Sequence, residues 1–161
     1  MCSFLYAQNY TNKANRKSAE RCLKVAENYL MTGDFSNAKS QAFLGITYDD
    51  SISDLYYVNA AVQAHENVPK AEILSTLNSA FIKDNWIGYS LNGARILYAD
   101  LLCETKSYEK SLEVLNEEPY IYSADAEIIR IKNLYRIGSE KSIAEARSKI
   151  NTSRRIYPDD L

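Results

Sequence analysis

Apolar residues recur with a helical period almost without a break from Ser18 to the end of the chain, and no useful length alternates as a half-buried strand does. That periodicity predicts an all-α fold. Turn formers agree with it, because five Gly and three Pro in 161 residues are too few for a turn-rich β architecture. Polar punctuation falls at Thr32-Gly33-Asp34, Tyr48-Asp49-Asp50-Ser51, Asn67-Val68-Pro69, Lys83-Asp84-Asn85, Lys106-Ser107, Glu118-Pro119, Gly138-Ser139-Glu140 and Tyr157-Pro158-Asp159. These breaks delimit about eight helices of roughly 11–17 residues. Ser36, Ser53, Ser107 and Ser123 stand where a side-chain oxygen would cap a helix, and Pro69 where a first turn tolerates it. Residues 1–17, rich in Asn, Thr and Lys, show no firm period and read as a flexible tail with at most one turn of helix. The apolar stretch from Cys2 to Ala7 gives a second reading, the remnant of a signal segment if Met1 is an internal start. Residues 18–161 read as the folded domain.

Composition narrows the function classes. Hydrophobic residues at 46% and charged residues at 25% describe a chain that folds. With 19 basic and 21 acidic residues the net charge is −2, so there is no surplus to grip a polyanion, and no nucleic-acid partner is expected. No run approaches the ~18 apolar residues of a membrane span. Cys2, Cys22 and Cys103 are odd in number and far apart, which makes neither a disulfide framework nor a metal or redox pair. They read as reduced thiols, which favours the cytoplasm, with export the alternative if Met1 is internal. His65 is the only histidine, and no phosphate loop, nucleophile elbow or Cys–His pair is legible. No enzyme activity, cofactor or metal is therefore expected. The one competing motif is Asp49-Asp50-Ser51-Ile52-Ser53-Asp54, which resembles the Asp-rich magnesium motifs of prenyl-transferring enzymes but lies at a junction between helices, where Asp and Ser serve as caps.

Helices of similar length joined by short turns raise the question of internal repeats. From Ala19 the chain runs Ala19-x2-Cys22-x2-Val25-Ala26-x2-Tyr29-x3-Gly33-Asp34-Phe35-x2-Ala38 and closes with Tyr48-Asp49-Asp50. This resembles the tetratricopeptide (TPR) repeat, a 34-residue helix–turn–helix. Cys22 stands for its first large residue and Val25-Ala26 for Leu-Gly, while Tyr29, Gly33 and Ala38 match and Asp50 replaces the closing Pro. Later units keep the register, through Tyr57, Ala60-Ala61 and Ala80, through Tyr98-Ala99, Leu102, Tyr108 and Ser111, and through Gly138, Ala146 and Pro158. Closing positions Asp50, Asn85, Ser123 and Pro158 are about 35–38 residues apart, nearer TPR than HEAT or armadillo repeats. The resemblance implies a right-handed superhelix of about four antiparallel helical hairpins, a TPR-like α-α solenoid, covering residues 18–160.

It also implies a function, a non-enzymatic scaffold or adaptor that binds a protein or peptide segment in the concave groove. The first helix of each hairpin would line that groove, with Glu20, Leu23, Glu27, Leu30 and Met31 from the first unit and Leu55, Val58, Val62, His65 and Glu66 from the second. The third would add Gly93, Ile96, Asp100, Cys103 and Glu104, and the fourth Asp125, Ile128, Lys132, Tyr135 and Arg136. Acidic residues around an aliphatic floor imply a partner segment with apolar and basic residues. TPR domains that hold chaperone C-terminal carboxylates use Lys, Asn and Arg here, so Leu23, Glu27, Val58 and Val62 imply no binding of such tails. Tyr120, Tyr122, Tyr56, Tyr89 and Tyr135 have no duty in the repeat pattern and are candidate contacts. Three other readings stand beside this one. They are a structural or self-associating repeat of a larger protein, an RNA reader of the pentatricopeptide type, which would need a basic groove, and the Asp-rich metal enzyme. Asp159-Asp160-Leu161 follows a repeat-closing turn without a capping helix, so either a fragment of a longer array or an end covered by self-association is expected.

Overall fold

The computed structural model describes the backbone of residues 2–88 and 91–158, with side chains from residue 12 onward. Among the described residues all regular structure is helical. Eight helices follow one another: α1 (Cys2–Met31), α2 (Phe35–Tyr48), α3 (Ser53–His65), α4 (Lys70–Lys83), α5 (Leu91–Glu104), α6 (Tyr108–Asn116), α7 (Ala124–Ile137) and α8 (Glu140–Ile156). Each expected break falls at a helix boundary. The start of α1 does not, because residues 2–17, expected as a tail, continue the helix. The physical reason is local: no Gly or Pro precedes Gly33, so nothing in the backbone stops a helix that reaches Arg16. Arg16 in turn is anchored by Glu20, Asp49 and Ser51 at 3.1, 3.3 and 3.2 Å.

One residue with positive φ sits at the turn of every hairpin, namely Gly33 at 77°, Asn67 at 56°, Lys106 at 65° and Gly138 at 73°. In the first three, the next residue sends its N–H back five positions. Asp34 reaches Tyr29 O at 2.9 Å, Val68 reaches Gln63 O at 3.1 Å and Ser107 reaches Leu102 O at 2.8 Å. These bonds satisfy carbonyls that the ending helix leaves open, and the left-handed residue reverses the chain. Three different residue types therefore build one turn. Capping partly departs from expectation. Asp34, not Ser36, caps α2 by accepting from Asn37 N, whereas Ser123 caps α7 and Ser139 caps α8. Ser107 occupies the N-cap of α6 without a side-chain bond, and Ser53 is inside α3, where it does other work.

The chain divides into two compact units, residues 1–90 and 91–161. In the first, Ala19, Leu23, Ala26, Ala42, Ile52, Leu55 and Val58 form a buried cluster from α1, α2, α3 and the turn before α3. Small residues set its helix spacing. A Cβ added to Gly45 would stand 2.6 Å from Leu55 Cδ2 and 3.3 Å from Cys22 Cβ, so only glycine lets α2 lie this close. In the second unit, Ala99, Leu115, Ile121, Ala126 and Ile129 form the cluster. A polar chain runs through it, with Asn133 Nδ2 donating to Ser111 Oγ at 2.7 Å and Ser111 donating to Ala99 O at 2.6 Å. Those two bonds tie α5, α6 and α7 together where apolar contacts alone would allow sliding.

Candidate interaction surfaces

The expected groove is altered in the first unit by the chain's own residues 85–88. Asp54, at the start of α3 and fully buried, accepts the backbone N–H groups of Ile87 at 2.7 Å and Gly88 at 2.9 Å. Ser53 accepts from Asn85 N at 2.8 Å and donates to Ala80 O at 2.8 Å, so this Ser–Asp pair holds the returning residues 85–88. Gly88 lies so near α1 that a Cβ there would be 2.6 Å from Glu27 Oε1 and 3.4 Å from Leu23 Cδ2. Leu23 and Val58 are core residues, and Val62 is equally buried, so these three are not an open aliphatic floor. Leu30 packs half-buried against the same cluster.

The polar members of the expected stripe remain at the surface. Glu20 is bonded to Arg16, and Glu66 pairs with Lys39 at 2.6 Å. His65 is exposed and stacks on Phe35, with ring centroids 4.3 Å apart. Glu27 is half-buried, and its carboxyl is pushed above the ordinary range first by burial and then by the neighbouring Asp54 charge, with Lys24 opposing. Two carboxylates thus share a partly desolvated place.

The three aspartates of the Asp-rich motif are not brought together. Asp49 turns to Arg16 and to the Ser51 amide and hydroxyl, Asp50 to Lys83 at 2.6 Å, and Asp54 to the 87–88 amides. Burial pushes Asp49 up, but the Ser51 and Arg16 bonds outweigh it and hold the carboxyl below its ordinary range. Among the described residues no three His, Cys, Asp or Glu side chains gather as a metal site.

In the second unit Ile96 and Cys103 pack half-buried against the core. Burial pushes the Cys103 thiol up, and it lies in the field of Asp100 and Glu104 on its own helix and of Lys132 and Arg136 on α7. Acids of α5 and bases of α7 therefore both lie near this thiol. Tyr135 is exposed. Tyr89 lies outside the described residues.

Two buried arginines were not legible as functional in the sequence. α6 is only nine residues long, and its carbonyl end is met by side chains from both neighbouring helices. Arg95 donates to Val114 O, Glu117 O and Pro119 O, the latter two at 2.7 and 2.9 Å. Arg130 donates to Leu115 O, to Ile121 O at 3.0 Å and to Asn116 Oδ1 at 3.0 Å, and it pairs with Glu127 at 2.6 Å. Its guanidinium also lies 3.9 Å from the Tyr120 ring centre. The planar five-donor group suits this task, since each arginine satisfies several carbonyls at once. Beside them, Tyr120, Tyr122, Ile156 and Tyr157 wall an open cleft of about 260 Å³ between the start of α7 and the end of α8.

No family model matches this chain, and no solved structure matches it. It is 30% identical over 122 residues, 75% of its length, to an uncharacterized protein of Treponema pallidum (strain Nichols). The chain spans 15% of that relative's length. No described helix is long and apolar enough to cross a membrane.

Proposed function

We propose that this chain is a TPR-like helical-repeat module, its hairpins stacked as a right-handed superhelix, that binds protein segments carrying a basic residue beside apolar ones. The repeated positive-φ turn and the small residues at helix contacts support the repeat reading. One observation carries the binding reading. Glu27 is held half-buried beside Asp54, with its carboxyl raised, and an arriving Lys or Arg relieves both the burial cost and the repulsion. The contact surface in this proposal is the polar rim of the first unit, Glu20, Glu27, His65 and Glu66 with the half-buried Leu30, and not the buried Leu23, Val58 and Val62.

The test is calorimetric titration with a peptide of leucines around one arginine. Glu27→Gln is expected to weaken it about tenfold, and replacing the arginine by glutamine in the peptide to do the same. Equal affinity across these pairs overturns the reading. The greater length of the Treponema pallidum relative favours a second reading, in which such hairpins serve as one structural segment of a longer polypeptide.

A further inference from the structure

α1 carries its charges in two blocks. Residues 1–19 contain no Asp or Glu, and Lys13, Lys17, Arg21 and Lys24 recur along the helix, all four of them exposed. Helical geometry sets Lys13, Lys17, Lys24 and Glu27 within about 80° of one another on one side of α1, with Arg21 on its flank. Lys17 stands about 15 Å and Lys13 about 21 Å along the axis from Glu27.

Few acids answer these cations. Glu20 turns its carboxylate to Arg16 at 3.1 Å, and Arg16 also takes Asp49 at 3.3 Å, so those three form a cluster of their own. α2, which packs along α1, contains no Asp or Glu. Lys24 lies in the field of Glu27. Among the described residues, Lys13, Lys17 and Arg21 make no side-chain hydrogen bond or ion pair. A partner that brings only a basic residue to Glu27 therefore runs past lysines that repel it, and acids placed there turn that repulsion into attraction.

We propose that the partner segment is bipolar: besides the basic residue at Glu27, it carries acidic residues about 15–21 Å away that lie along Lys17 and Lys13. This rests on the reading of Glu27 as the seat of the basic residue. The two blocks fix which end of the partner lies at which end of α1, because the reversed placement sets acid against Glu27 and Asp54 and base against the lysines. A protein segment is favoured over an anionic lipid surface, since the same side of the helix ends in Glu27, which such a surface would meet as a like charge.

The probes are three helical peptides that share their leucines and one arginine and carry Glu, Gln or Lys ten and fourteen residues from that arginine. Fluorescence anisotropy with the full chain is expected to rank them Glu, Gln, Lys from tightest to weakest. A gain of about threefold or more separates the first two, as two solvent-exposed pairs supply, and high salt is expected to erase it. In the double variant Lys13→Glu with Lys17→Glu, the order of the Glu and Lys peptides is expected to reverse, which a misfolded chain does not produce. Glu27→Gln is expected to weaken all three and keep their order. Equal binding of the Glu and Gln peptides, or an order that the double variant leaves as it was, overturns the bipolar partner and leaves the Glu27 reading intact. Affinities unchanged by Glu27→Gln overturn both, which separates the two failures. Binding to mixed phosphatidylcholine and phosphatidylglycerol vesicles that the double variant abolishes, with no discrimination among the peptides, also overturns the proposal, since it assigns the lysines to a membrane surface.

Discussion

Gly45 and Glu27 show how single residues set the first unit. A methyl group on Gly45 meets Leu55 Cδ2 at 2.6 Å, and Leu55 is enclosed on all sides, so it has no room to yield. Alanine gains up to about 1 kcal/mol of helix propensity over glycine, but overpacking a tight core costs typically ~1–3 kcal/mol. Gly45→Ala is therefore expected to lower stability by about 1–2 kcal/mol, read as a reduced urea midpoint at unchanged slope. Glu27 acts through protons. Its folded-state pKa is raised, so between the ordinary carboxylate value and the raised one the folded chain binds more protons than the unfolded chain, and stability falls as pH rises through that window. Asp49 works in the opposite sense, its contribution being present above the ordinary value and lost as pH falls through the lowered one. Glu27→Gln is accordingly expected to raise neutral-pH stability slightly, by under about 1 kcal/mol for a half-buried carboxylate still screened by solvent, and to leave it unchanged in acid. At this scale the small residues Ala26, Ala38 and Ala99 were legible in the sequence and are buried, whereas Ala61 is only half-buried. Leu23, Val58 and Val62 were not correctly assigned, because the same helical stripe serves for a groove floor and for a buried contact. What covers Leu23, the returning residues 85–88, has no pattern of its own.

At the scale of elements, helix ends were readable wherever backbone chemistry marks them. Gly33 and Gly138 supply positive φ directly, while Asn67 and Lys106 adopt it under the demand of the turn. The extension of α1 was missed because amphipathic periodicity was required where the absence of a helix breaker was enough. The short α6 depends on charge for its finish. An arginine at position 130 of an apolar stripe reads as a surface residue, yet it is fully buried under Tyr120 and holds the carbonyls of Leu115 and Ile121. Arg130→Met keeps much of the volume but strands those acceptors and removes the nearer of two cations from Glu127. It is expected to cost about 3 kcal/mol or more, with amide exchange at residues 117–122 accelerating before that of α5.

For the whole molecule, near-neutral composition hides an uneven distribution. Acids of α5 and bases of α7 both act on Cys103 in the second unit, whereas Glu27 and Asp54 stand together in the first. The all-helical architecture of the described residues was legible except for the first half of α1, and the chemistry of the proposed rim only in part, since which acids are balanced depends on contacts between helices far apart in sequence. The central proposal is a helical-repeat module that binds a basic, apolar segment at the α1–α3 rim. Its most direct test is amide shift mapping of the full chain during titration with the leucine–arginine peptide. The expected result is saturable shifts centred on Glu27, Asp54, Gly88 and His65, lost in Glu27→Gln. No shifts at millimolar peptide, or shifts unchanged by that substitution, would contradict it.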